Sequence, residues 1–202
     1  VDFVLLDRNG DPLGDAVAYR DSRTRGMDRL VEERIPFQEL YRRTGIQKQE
    51  FNTIYQLMAV KQQEPQLLER AQRLLMVPEY LTYRLTGKME NEYTNATTTG
   101  LVNARTKTWD GELLDRLGYP SRLFGELRQP GFSVGGFAPQ VRERLGFDCE
   151  VLLPATHDTG SAFLAVPAKE DSVYLSSGTW SLLGTELPEP VTTMFVDRKS
   201  VV

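Results

Sequence analysis

Residues 155–162 read Ala-Thr-His-Asp-Thr-Gly-Ser-Ala and hold the only histidine of the chain, His157, directly followed by Asp158. The apolar run before them, residues 151–154, is typical of a strand, and the small residues after them, 161–165, are typical of a helix. In open α/β sheets, ligands bind where strands end and helices begin. This polar stretch therefore predicts a ligand-binding corner in an α/β fold.

A second polar turn follows at residues 175–181, which read Leu-Ser-Ser-Gly-Thr-Trp-Ser. The pattern predicts a strand, a turn and another strand. Gly178 and Thr179 give the turn little side-chain bulk, which lets a phosphate approach its backbone N–H groups closely. An ordinary hairpin turn is the alternative. A carboxylate at Asp158 and a phosphate-binding turn this close in sequence favour phosphoryl transfer to a hydroxyl group.

The composition argues against several other classes of function. The 202 residues carry 24 basic and 28 acidic side chains, for a net charge of −4, which argues against a nucleic-acid or anionic-membrane partner. No apolar run approaches the roughly 20 residues of a membrane span. A single cysteine, Cys149, is typical of a reducing compartment. We therefore expect a cytoplasmic protein. One histidine and one cysteine are too few for a typical zinc site.

The organisation of the chain can be predicted from its apolar spacing and from its proline and glycine residues. Residues 1–6 predict a buried strand, residues 8–11 a hairpin turn, and residues 16–19 a second strand. Residues 92–100 predict a polar loop. Helices are predicted at residues 27–31, 36–44, 53–61, 78–86 and 110–117, with a further helical stripe over residues 67–75. Because the chain opens on a strand and residues 194–202 fit no element, we expect it to be a fragment.

Asp158 is the leading candidate for a general base, because phosphoryl transfer to an alcohol needs a carboxylate that accepts the hydroxyl proton. Capping of the following helix is the alternative role, and the two are compatible. His157 could hydrogen-bond a sugar hydroxyl, or it could be an ordinary polar residue. A serine hydrolase with His157 as its base is a weaker alternative, because we expect no nucleophile elbow. Asn52 and Gln56 are expected on the surface, with a polar-ligand contact as the alternative.

Seven stretches of the chain, taken together and in order, carry a resemblance to a known family. They are VDFVLLD (residues 1–7), YRDSRT (19–24), FNTIYQL (51–57), YRLTGKM (83–89), EYTNATTT (92–99), HDT (157–159) and YLSSGTWS (174–181). The chain resembles the FGGY family of carbohydrate kinases, and most closely the branch that phosphorylates L-rhamnulose.

The resemblance implies an actin-like, ribonuclease-H-like α/β fold of two domains that close over a cleft. It also implies ATP-dependent phosphorylation of L-rhamnulose at its C1 hydroxyl, with Mg²⁺ bound through ATP and no residue of this chain as a direct metal ligand. Asp158 would accept the proton, and His157 and Thr159 would contact the sugar together with it. Thr179, with Gly178 beside it, would contact the ATP phosphates.

By the same resemblance, residues 1–153 form part of an N-terminal sugar-binding domain, residues 154–193 begin a C-terminal nucleotide-binding domain, and residues 194–202 match nothing. The family's first strand hairpin, which holds phosphate and metal, would precede residue 1, and the adenosine-binding half would follow the matched part. We therefore expect the isolated chain to be inactive. A kinase for another ketose, such as fuculose or xylulose, and a non-catalytic folded remnant are the alternatives.

Overall fold

The computed structural model describes residues 1–168, 172–178 and 181–193. The predicted first strand forms β1, Phe3–Leu6, and all four of its residues are buried. Its partner is β2, Arg73–Met76, which pairs with it in antiparallel register, Phe3 opposite Met76 and Leu6 opposite Arg73. The first strand therefore pairs with a segment far along the chain.

The second strand predicted at residues 16–19 does not form, so that prediction is wrong. The turn after β1 closes locally, because Asp7 Oδ1 accepts the backbone N–H groups of Asn9 at 2.7 Å and Asp11 at 3.0 Å. Pro12 then bridges to Leu6. The Leu13 N–H also donates to the carbonyl of Leu5 at 2.9 Å, and residues 14–19 then form no strand.

Most of the predicted helices are confirmed, and so are their glycine ends. Gly45, Gly87 and Gly118 each follow a helix in the left-handed conformation that favours glycine. The helices are α1 Met27–Glu32, α2 Phe37–Thr44, α3 Thr53–Gln63, α4 Pro65–Arg70, α5 Val77–Thr86, α6 Tyr93–Thr97, α7 Gly111–Leu117, α8 Pro139–Leu145 and α9 Asp158–Leu164.

The helical stripe predicted over residues 67–75 is wrong in its second half. Helix α4 ends at Arg70, and the chain continues into β2. The backbone N–H of Gln72 donates to the carbonyl of Leu6 at 2.8 Å, where the pairing with β1 begins. A short apolar run fits a helix and a strand equally well, and here pairing with a distant strand decided the outcome.

Helix α3 lies at the centre of the hydrophobic core. Its residues 53–60 are all buried, so other elements cover the helix on every side rather than on one face. Side chains of β1, β2, α1, α4 and α7 belong to the same core cluster. The Tyr119 hydroxyl donates to the carbonyl of Ile54 at 2.7 Å, which satisfies a polar group inside this core.

Asn52 and Gln56 are buried, so the prediction that they lie on the surface is wrong. They are 5% and 0% exposed. The Asn52 amide donates to the carbonyl of Thr98 at 3.1 Å, and the Gln56 amide donates to the carbonyl of Phe51 at 2.9 Å. Gln56 Oε1 also accepts a hydrogen bond from Arg23 at 2.8 Å. Both side chains therefore satisfy polar groups at the edge of the core.

The remaining strands form short pairs that alternate with the helices. One pair is parallel, β3 Asn91–Glu92 with β6 Leu127–Arg128. Three pairs are antiparallel: β4 Val102–Asn103 with β5 Thr108–Trp109, β7 Ser133–Gly135 with β8 Val151–Leu152, and β9 Val173–Ser177 with β10 Ser181–Thr185.

Within the described residues, no helix is long and apolar enough to cross a membrane.

Candidate active site

The strand-to-helix corner predicted around residues 151–165 is present. After β8, Leu153 is fully buried, and its N–H donates to the carbonyl of Phe132 at 2.9 Å. The chain then passes through Thr156 to His157, which is the N-cap residue of α9. Strand β8 pairs with β7 in antiparallel orientation. The polar residues therefore lie between strand β8, which is paired with β7, and the start of helix α9.

Asp158 is exposed at the first residue of α9. Its Oδ1 accepts the backbone N–H of Thr159 at 2.7 Å and lies 3.4 Å from the Thr159 hydroxyl. Because His157 occupies the N-cap position, Asp158 does not cap the helix in the usual way. Its carboxylate is open to solvent, where it could accept a proton from a bound hydroxyl.

His157 is half-buried beside Asp158. Its backbone N–H donates to the Thr94 hydroxyl oxygen at 3.3 Å. Burial lowers the pKa of the imidazole, and the negative charge of Asp158 partly opposes this effect. The ring is therefore mainly neutral at pH 7, with one nitrogen that donates and one that accepts.

The stretch predicted as a polar loop at residues 92–100 contains α6, so that prediction is wrong. Glu92 caps this helix, since its carboxylate accepts the backbone N–H groups of Thr94 at 2.8 Å and Asn95 at 3.0 Å. Ser, Thr, Asp and Asn are the residues that usually signal a helix start. A glutamate in this position gave no such signal.

Thr156 connects the corner to two carboxyl groups that sequence reasoning missed. Its hydroxyl lies 2.7 Å from Glu79 Oε1 and 2.9 Å from Glu92 Oε2, and its backbone N–H donates to the same Glu92 oxygen at 3.1 Å. Glu79 lies on α5, and Glu92 precedes α6. The residue before His157 is thus held by two helices from an earlier part of the chain.

The expectation that no nucleophile-elbow pattern occurs was wrong, because residues 131–135 read Gly-Phe-Ser-Val-Gly. The structure nevertheless argues against a serine hydrolase. Ser133 lies on the antiparallel strand β7, and its hydroxyl donates to Glu150 Oε1 at 2.7 Å. A nucleophile elbow is a sharp turn from a strand into a helix, and this segment leads from a loop into a strand pair.

The predicted strand, turn and strand around residue 178 form the hairpin of β9 and β10. Gly178 is exposed in its turn, whereas Thr179 lies outside the described residues. The rings of Phe163 and Tyr174 stack with their centroids 5.3 Å apart, which packs α9 against β9. The hairpin that carries Gly178 is therefore attached to the helix that begins with Asp158.

Comparison with known proteins places these features in a family. Residues 1–165 match the N-terminal domain of the FGGY family of carbohydrate kinases. The chain is 55% identical over 193 residues to a rhamnulokinase of Oceanobacillus iheyensis and 54% identical over 191 residues to one of Halalkalibacterium halodurans. These alignments cover 96% and 95% of this chain but only 41% of each relative.

A solved structure supports the same assignment. A carbohydrate kinase from Novosphingobium aromaticivorans is 25% identical and superposes with a TM-score of 0.76, over 95% of this chain and 42% of that structure. This likeness confirms the predicted actin-like, ribonuclease-H-like α/β fold. Since the family match covers most of the chain, the chain belongs to the FGGY family of carbohydrate kinases.

Proposed function

We propose that the full-length gene product transfers a phosphoryl group from ATP to the C1 hydroxyl of L-rhamnulose, with Asp158 as the proton acceptor. The observation that carries this proposal is the exposed Asp158 carboxylate between His157 and Thr159, in a chain 55% identical to a rhamnulokinase. In this proposal, residues 1–153 belong to a sugar-binding domain and residues 154–193 begin a nucleotide-binding domain.

Each residue of the corner has a separate task in this proposal. Asp158 Oδ1 already accepts the Thr159 N–H, so we assign Oδ2 to the proton that leaves the C1 hydroxyl. The neutral His157 ring can accept a hydrogen bond from one sugar hydroxyl and donate to another. Thr159 offers a hydroxyl on the same side of the corner. Together the three residues would orient the sugar, and Asp158 would take its proton.

The turn between β9 and β10 suits a phosphate ligand. Among the described residues, a side-chain carbon added to Gly178 would meet no atom within 4 Å beyond its chain neighbours, so an anion can approach the backbone there. Gly178, with Thr179 beside it, would face the phosphates of ATP. Bound ATP and its Mg²⁺ supply the phosphoryl group and the positive charge that such a transfer needs.

L-Rhamnulose is expected to be the best substrate in a panel of ketoses. A site built to hydrogen-bond particular hydroxyl groups rejects sugars that leave its polar groups unpaired. An ADP-release assay on the full-length gene product would compare L-rhamnulose, L-fuculose and D-xylulose, and we expect the highest kcat/KM for L-rhamnulose. A higher kcat/KM for another ketose would make that ketose the preferred substrate in place of L-rhamnulose. No ADP release with any ketose would contradict the kinase activity.

Gly178→Ala is expected to weaken ATP binding without loss of stability. The added methyl group meets no atom in the part of the chain that the structure describes, chain neighbours aside, so we expect it to displace a phosphate that approaches the turn. A loss of roughly 1–3 kcal/mol corresponds to a Kd about five to 150 times higher. Gly111→Ala on α7 is the matched control, because a side-chain carbon there also meets open space. Calorimetry would measure the Kd of each ligand for Gly178→Ala. An unchanged Kd for ATP together with a higher Kd for the sugar would show that the turn is not part of the nucleotide site.

A further inference from the structure

Two buried carboxyl groups meet at the hydroxyl of Thr156. Its Oγ1 lies 2.7 Å from Glu79 Oε1 and 2.9 Å from Glu92 Oε2. Glu79 and Glu92 are each only 1% exposed. Ionising both of these carboxyl groups would place two negative charges in one buried site, which is costly.

The number of hydrogens at this hydroxyl decides how the two carboxyl groups are protonated. A threonine hydroxyl has one hydrogen to donate, yet both of its carboxyl contacts are at hydrogen-bonding distance. If both carboxyl groups were ionised, one contact would bring two buried oxygens together without a hydrogen between them. A proton on one of the two carboxyl groups, donated to Oγ1, gives each of the two contacts its own hydrogen.

Glu92 is the acceptor member of the pair. Its Oε1 accepts the Thr94 N–H at 2.8 Å, and its Oε2 accepts the Asn95 and Thr156 N–H groups at 3.0 and 3.1 Å. Backbone N–H donors therefore occupy both oxygens of Glu92, which leaves Glu79 as the member that can hold a proton. Glu79 has a different environment, since burial raises its pKa and the charge of Glu92 raises it further, against the opposing hydrogen bonds of Thr156 and Asn95.

We propose that Glu79 is a positioning residue of the candidate active site, and that it acts as a neutral carboxylic acid that donates from Oε1 to Thr156 Oγ1. Thr156 in turn donates to the ionised Glu92. These two hydrogen bonds fix the residue that immediately precedes His157 and lies two positions before Asp158. The positioning role rests on the proposed function, whereas the protonation of Glu79 does not.

Other titratable groups share this site with Glu79. Glu92 lies at the start of α6, and His157 and Asp158 lie at the start of α9. With all of these groups present, the pKa of Glu79 stays above its ordinary value of 4.5.

The raised pKa of Glu79 determines how stability should depend on pH. The folded protein holds this proton more tightly than the unfolded chain does. The stabilisation is therefore complete below pH 4.5 and is lost as the pH rises through the pKa of the folded state. Within that range, the folding equilibrium constant, relative to a variant that cannot ionise, falls by up to about tenfold per pH unit.

Infrared difference spectroscopy tests the neutral acid directly. At pH 7 the wild-type protein should show the carbonyl band of a protonated carboxylic acid. Two variants then assign this band to a residue. The band should disappear in Glu79→Gln and persist in Glu143→Gln, a matched control on the exposed face of α8. Absence of the band from the wild type, or its persistence in Glu79→Gln, would overturn the assignment.

Two glutamine variants test the positioning role in the full-length gene product. Glu79→Gln keeps a donor for Thr156, as the acid does, so it should retain far more of the wild-type kcat than Glu79→Leu, which has no donor, and its loss of stability at high pH should diminish. In Glu92→Gln, the side-chain NH₂ group would face a backbone N–H whichever way the amide is turned, and two donors cannot hydrogen-bond to each other. We therefore expect kcat to fall by about tenfold or more. Equal losses in the two variants, or an unchanged pH profile in Glu79→Gln, would overturn the role.

The infrared and kinetic results separate this proposal from the proposed function. A band at pH 7 in a protein that phosphorylates no ketose would support the neutral Glu79 and contradict the kinase function. An active kinase without the band would support the function and overturn the neutral Glu79.

Discussion

Asp158→Asn in the full-length gene product is expected to lower kcat for ketose phosphorylation by about 10²–10⁴-fold, the usual contribution of a general base. Asparagine has nearly the same shape and keeps an oxygen for the Thr159 N–H, but its amide cannot take a proton from the sugar hydroxyl. Because Asp158 is exposed, the substitution leaves the core intact. The Kd for the sugar, measured by calorimetry, should therefore change much less than kcat.

The control for this prediction is Asp115→Asn, which makes the same chemical change at an exposed position on α7. Its kcat and its thermal unfolding temperature should match those of the wild type. If Asp158→Asn kept near-normal turnover while folding normally, another group would have to accept the proton.

Leu74→Ala is expected to lower the free energy of unfolding by about 2–5 kcal/mol, as is usual for a truncated core leucine. Leu74 is fully buried on β2 opposite Leu5, and both side chains belong to the main core cluster. Alanine would leave a cavity between the strand pair and the surrounding helices. Urea unfolding monitored by circular dichroism would measure the loss, read from the midpoint at an unchanged m-value.

Leu81→Ala is the matched control for Leu74→Ala. Leu81 lies on α5 and is 58% exposed, so its truncation should change the unfolding free energy by no more than about 0.5 kcal/mol. Similar losses in the two variants would contradict the placement of Leu74 in the core.

The features that could be predicted from the sequence are those that neighbouring residues determine. Helix α7 is an example, because Asp110 accepts the backbone N–H of Leu113 at 3.1 Å at its start and Gly118 ends it. The corner at His157 and Asp158 was found in the same way, from a change of local pattern. Signals of this kind need no knowledge of the rest of the chain.

The features that could not be predicted depend on contacts between distant segments. The strand at residues 73–76 forms because β1 pairs with it, and its own apolar spacing fits a helix as well. The contact of Glu79 with Thr156 joins positions 77 residues apart. A glutamate near the start of α5 looks like an ordinary solvent-exposed residue until that partner is known.

The connection between β2 and α5 contains no loop. Strand β2 ends at Met76, α5 begins at Val77, and Glu79 is the third residue of the helix. Each helical residue advances the chain by about 1.5 Å and rotates it by about 100°. One inserted residue between Met76 and Glu79 would therefore turn the carboxyl group away from Thr156. The segment between Met76 and Glu79 can therefore accept no change of length, whereas the turn at residues 104–107 is under no such constraint from the site.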